Sequence, residues 1–168
     1  MQFSAQEEYG LRCLLRVAAA GPGGSLTISE ISDAEGISIP YVAKMMRVLR
    51  DSGLVLSERG QAGGYRLARP ADEISAAQAL AALGGKFYGG EFCERYAGNE
   101  QSCTHTMNCS IRSLWRTVQS VVDQVLSRTK LKDLLRNEEQ MDQFVHSLVV
   151  LTTNDAPAGG GRAPRASA

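Results

Sequence analysis

The stretch TISEISDAEGISIPYVAKMMRVLRDSG, residues 27–53, decides the fold. Thr27 and Glu30 stand three apart, the spacing at which a hydroxyl caps the first turn of a helix and a glutamate reaches back to the capping residue's own N–H. Gly36 then ends a short helix, because glycine enters the left-handed conformation at a helix end without steric cost. Ser38 opens the next helix, with Pro40 in its first turn, where a missing N–H loses no hydrogen bond. Val42, Met45, Met46 and Leu49 fall on one stripe of that helix, and Lys44, Arg47 and Arg50 fall off it. Gly53 closes it. Two short helices around a glycine turn, the second with cations beside its apolar stripe, predict a helix-turn-helix.

On the N-terminal side, residues 4–20 (SAQEEYGLRCLLRVAAA) put Tyr9, Leu11, Leu14, Leu15 and Ala18 near helical spacing after a Ser4–Glu7 capping box, and the helix stops at Gly21 to Gly24. On the C-terminal side the period changes. Residues 54–70 (LVLSERG, QAGG, YRLARP) read as two short strands joined by a glycine-rich turn. The whole predicts a mainly α fold built on a winged helix-turn-helix. A capped helix follows from Ser75, with Gln78 three residues on, and residues 84–109 form an aperiodic loop rich in glycine and cysteine. Residues 111–128 are the longest amphipathic run. Leu114, Trp115, Val118, Val121, Val122 and Val125 make a stripe too wide for a helix standing free in water, and it reads as a dimerisation helix. Residues 131–151 look helical in two pieces. The expected organisation is a reading head over 1–83, a cysteine loop over 84–110, dimerisation and C-terminal helices over 111–151, and a low-complexity, disordered tail over 152–168.

The 168 residues carry 18 Lys+Arg and 18 Asp+Glu, a net charge of zero. Neutrality argues against nucleic acid as a partner until the charges are located. Lys44, Arg47, Arg50, Arg59, Arg66 and Arg69 outnumber Asp51 and Glu58 within residues 40–69, giving that block +4. The first 39 residues sum to −3 and residues 70–168 to −1. The cationic surplus therefore sits on the second helix of the motif and on the wing, where phosphate contacts fall. Pro40, Tyr41, Lys44, Arg47 and Arg50 are the candidate DNA contacts of the helix. Arg59, Gly60, Gly63 and Gly64 are those of the wing, its glycines letting backbone approach a groove and its arginine entering a narrow minor groove. No apolar run suits a membrane span, and Glu7 and Glu8 stand where a secretory signal carries cations, so the expectation is cytoplasmic with no membrane partner.

Of four cysteines, Cys13 lies among Leu11, Leu14 and Leu15 and reads as a small core hydrophobe. Cys93, Cys103 and Cys109 share the aperiodic loop. Their odd number argues against a disulfide framework, and the lack of short paired spacing argues against zinc. Iron–sulfur ligation with one donor from elsewhere, or redox-active thiols without metal, both suit them. With no CxxC, no HExxH, no phosphate loop and only His105 and His146, the chain does not read as an enzyme and has no small-molecule substrate.

Gly36-Ile37-Ser38, Tyr41, the LR..GLV of Leu49 to Val55, Arg59-Gly60, Gly63-Gly64-Tyr65 and the cysteine loop before Trp115 together resemble the Rrf2 family of transcription factors over about residues 1–135. The resemblance implies a homodimer on a pseudo-palindromic double-stranded operator, with one iron–sulfur cluster per subunit, 2Fe–2S or 4Fe–4S, controlling affinity. Residue by residue it assigns Cys93, Cys103 and Cys109 as ligands. A histidine that some members place three residues after the last cysteine is Arg112 here, so the fourth ligand falls to Glu8 from the partner subunit, with His105 as the alternative. A second first-helix ligand of one branch falls at Arg12. The alternative function is a cluster-free regulator of the same family that senses through thiol oxidation or a protein partner.

Overall fold

Every helix of the reading head starts where a cap or a first-turn proline permits it. The computed structural model describes residues 4–58, 63–84, 103 and 109–154. Helix α1 (Ala5–Ala19) begins at a complete Ser4–Glu7 capping box, and α2 (Ile28–Glu35) at the Thr27–Glu30 box. Gly36 ends α2 with a φ of 66°, and the Ser32 hydroxyl donates to the Ile37 carbonyl at 2.6 Å, so the turn is closed from inside. Helix α3 (Ile39–Asp51) differs. Ser38 makes no side-chain cap there, Pro40 stands in the first turn, and that turn holds no acid.

Strands β1 (Val55–Ser57) and β2 (Tyr65–Leu67) pair antiparallel with Leu56 opposite Arg66. Leu26, just before α2, bridges to Tyr65 through N–H···O bonds of 2.8 and 3.0 Å and extends the wing by one rung. This rung explains Gly64. The residue is buried, and a Cβ there would lie 2.8 Å from the Leu26 carbonyl oxygen, so its missing side chain admits a neighbouring backbone inside the protein.

Helix α4 (Ala76–Leu83) starts at the Ser75–Gln78 box and crosses α1 where Gly10 meets the Leu83 side chain. The core is contributed by α1 (Cys13, Leu14, Val17), α2 (Ile31), the α3 stripe Val42, Met45, Met46 and Leu49, the wing root, α4, and Leu131. Leu131 belongs to the segment that follows α5 (Ser110–Arg128). There the Ala76 N–H donates to Thr129 O at 2.8 Å and the Leu131 N–H to Ile74 O at 2.9 Å, stitching the end of α5 onto the start of α4. A single 3-10 turn (Asp133–Leu135) and α6 (Glu138–Asn154) follow. Buried Asp133 accepts from the Lys130 N–H at 3.0 Å and pairs with Arg136 at 2.9 Å.

The mainly α winged-helix architecture is as the sequence predicts. Helix α5 is unlike the helices of the reading head: Gln119 is its one buried residue, while Ile111, Leu114, Trp115 and Val121 are exposed, Leu114 by 56%. Among the described residues, no helix is long and apolar enough to cross a membrane.

The α1–α4 crossing gives a direct test. Gly10→Ala gains helix propensity, but its methyl collides with a leucine already enclosed by the core, so it is expected to lower stability by about 1–2 kcal/mol net. Urea denaturation followed by circular dichroism measures the shift.

Candidate DNA interface and cysteine site

Helix α3 presents two faces because its apolar residues recur at helical spacing. Val42, Met45, Met46 and Leu49 are fully buried, and Pro40, Lys44, Arg47 and Arg50 are exposed on the other side, with Tyr41 half-buried between them. With its first turn uncapped by any carboxylate, the N-terminal end of α3 keeps its positive dipole end available to anions such as phosphate.

The cations are not equivalent. Arg50 is held by its neighbour Asp51 at 2.8 and 3.1 Å, and Arg66 by Glu58 at 2.6 Å. Both acids of the block are thereby consumed. Lys44, Arg47 and Arg69 have no carboxylate partner among the described residues, so three of the four surplus charges read from the sequence fall on them, and the fourth belongs to Arg59. Lys44 instead lies 5.8 Å from the centre of the Tyr41 ring. Gly63 is half-buried at the wing. Arg59 and Gly60 lie outside the described residues.

On the side of α1 away from its first turn, Arg12 and Arg16 share the Glu35 carboxylate at 3.0 and 2.7 Å, and Arg12 also donates to the Glu35 carbonyl at 2.6 Å. Arg12 is thus committed to the helix-turn-helix. Glu7 is committed to the Ser4 N–H at 2.7 Å, which leaves Glu8 as the exposed first-turn acid, its carboxylate without a hydrogen-bond or ion-pair partner among the described residues.

Of the loop cysteines, Cys103 and Cys109 are free and partly exposed, while Cys93 and His105 lie outside the described residues. Cys109 is the N-cap of α5, and its Sγ accepts the Arg112 N–H at 3.4 Å. That hydrogen bond pulls the thiol pKa below its ordinary value. Cys13 is the opposite case, its thiol pushed up to about 11 by burial in the core. Among the described residues no three metal-binding side chains converge. The donor chemistry nevertheless suits an iron–sulfur cluster: two free thiols, one of them held toward thiolate, and an uncommitted carboxylate.

These features define a winged-helix DNA-binding protein. Residues 3–137 match the Rrf2 family, described as an iron-dependent transcriptional regulator, and the chain belongs to that family. Over 163 residues, 97% of this chain and 94% of the relative, it is 29% identical to the HTH-type transcriptional regulator IscR of Salmonella paratyphi B. Its structure resembles that of CymR (YrzC), the global cysteine regulator of B. subtilis, with a TM-score of 0.65 at 29% identity over 80% of this chain and 95% of that one. It likewise resembles T. potens IscR, with a TM-score of 0.63 at 28% identity over 80% and 86% of the two chains. The oxidized form of Staphylococcus aureus CymR gives 0.63 at 28% identity over 82% and 98%. The chain is a regulator of transcription and not an enzyme.

Two measurements test the site. Arg47→Ala is expected to reduce the slope of log affinity against log salt by about one, as for one lost phosphate contact, and Arg50→Ala by less, because Asp51 already compensates that charge. In reduced, metal-free protein, Cys109 is expected to alkylate fastest and with a pH midpoint below that of a free thiol, while Cys13 reacts only on unfolding. Mass spectrometry of iodoacetamide-treated peptides across a pH series reads both.

Proposed function

We propose that the protein is a homodimeric regulator whose affinity for a pseudo-palindromic operator is controlled by an iron–sulfur cluster, one per protomer and of the 2Fe–2S or 4Fe–4S type. The observation that carries this reading is the position of Cys109, which is both a thiol held toward thiolate and the cap of the helix that exposes Ile111, Leu114, Trp115 and Val121. A change at that sulfur acts directly on the first turn of α5, where exposed Ile111 lies and Leu114 follows. In this reading Cys93, Cys103 and Cys109 supply thiolates and Glu8 of the second protomer the fourth donor, with His105 as the alternative.

When bound, the cluster supplies a redox- and nitric-oxide-responsive link between one protomer's cysteine loop and the other's first helix. Glu8 would hold the cluster through a carboxylate, a harder donor than the thiolates of Cys93, Cys103 and Cys109 and so the weaker ligand of the four. The protein's own residues do the rest. Leu114, Trp115 and Val121 hold two copies of α5 together, and α5 in turn sets the separation of the two α3 helices. Half-sites lie about 34 Å apart on the duplex, so a small change of pose moves one helix out of register with its groove. Differential affinity between the two poses couples signal to transcription.

Anaerobic purification of the wild type, Glu8→Ala and His105→Ala, with visible and Mössbauer spectra, iron analysis and operator binding before and after iron removal, tests this. The wild type is expected to be coloured and Glu8→Ala to show altered spectra and faster iron loss in air. An unchanged cluster in Glu8→Ala overturns the ligand assignment. A second reading, cluster-free sensing through thiol oxidation or a protein partner, is favoured by the lowered pKa of Cys109 and by the likeness to oxidized S. aureus CymR. A colourless, iron-free wild type that still binds its operator selects it.

A further inference from the structure

We infer that Tyr9, on a helix that is not the reading helix, is a positioning residue for DNA recognition, acting through Tyr41 on Lys44. Its ring meets that of Tyr41 edge-on, centroids 5.6 Å apart at an interplanar angle of 84°. Tyr41 in turn carries the Lys44 ammonium 5.8 Å from its own centre. Behind Tyr9, the Arg12 guanidinium lies 5.7 Å from the ring centre and is itself fixed by Glu35. The row Glu35, Arg12, Tyr9, Tyr41, Lys44 therefore runs from the end of α2 through α1 to the exposed face of α3.

The physical reason is entropic as well as electrostatic. A lysine on an exposed helix face samples many rotamers, and ordering it on a base edge or phosphate costs affinity. Tyr41 narrows that choice by holding the ammonium over its ring, but only while the ring keeps one pose. Tyr41 is half-buried and reaches toward solvent, so its pose depends on what stands against it, and Tyr9 is what stands there. An edge-to-face contact has a preferred geometry, which an aliphatic side chain of similar volume lacks.

The inference rests on the reading of α3 as the DNA-facing helix, and the experiment separates the two. Duplexes are enriched from a random library with the full wild-type chain. Affinities for an enriched and a scrambled duplex are then measured for Tyr9→Phe, Tyr9→Leu, Tyr9→Met, Lys44→Ala and the Tyr9→Leu/Lys44→Ala double variant, each checked by circular dichroism at the assay temperature. Tyr9→Phe keeps the ring and is expected to bind as the wild type does. Tyr9→Leu and Tyr9→Met are expected to weaken the enriched duplex about fivefold and leave the scrambled one unchanged. In the Lys44→Ala background Tyr9→Leu is expected to add less than about twofold. Repeating the enrichment with Tyr9→Leu should relax preference at the same base pairs that Lys44→Ala relaxes, a change that mere destabilisation of the head does not produce. Equal weakening on both duplexes, or full additivity with Lys44→Ala, overturns the inference. If Lys44→Ala has no effect on the enriched duplex, the reading of α3 fails together with it.

Discussion

The reading head depends on one carboxylate. Glu35 ends α2 beside the turn of the helix-turn-helix, its side chain only 12% exposed, and each of its oxygens is taken by a different guanidinium of α1. A carboxylate so enclosed is stable only while both cations stay in place, since an uncompensated charge in that position is costly. Arg12 and Arg16 lie one helical turn apart, so the pair also fixes the rotation of α1 about its own axis. Leu14 and Val17 are thereby aimed into the core and Tyr9 at α3. The angle between α2 and α3, and with it the pose of every residue facing DNA, follows from where α1 is anchored.

What was legible in the sequence is what depends on near neighbours along the chain. The three capping boxes need only an i, i+3 pair, and all three form. The α3 stripe, the two wing strands and the amphipathic α5 announce themselves by period. What was not legible depends on register and crossing. That Glu58 neutralises Arg66 follows from the β1–β2 register, in which Leu56 faces Arg66 and Glu58 lies on the same side. That Gly64 serves the Leu26 rung and Gly10 the α4 crossing requires knowing which backbones touch. In the sequence Tyr9 is one more apolar position of α1. Its partner is 32 residues away, and no local pattern marks the pair.

The candidate site divides the same way. The cysteines are visible as residue types, but the special standing of Cys109 comes from its place immediately before Ser110, where a sulfur takes the role usually given to a hydroxyl. A signal existed, in the form of a cysteine at the boundary between an aperiodic loop and a strong amphipathic run. Reading it needed the start of α5 fixed to the residue. Net charge shows the converse: a block at +4 resolves, once pairs are drawn, into two neutralised arginines and a few open cations.

Because α5 places only Gln119 in the interior, the hydrophobic core of the reading head closes without it. In the proposed dimer, separating the two protomers would release folded heads, each able to dock on a half-site but without the gain of a second, tethered one. Operator occupancy would then rise with roughly the square of protein concentration near the pairing equilibrium. The abundance of the chain would then become an input in its own right, since a cell making little of it would leave the operator empty whatever the state of the proposed sensor.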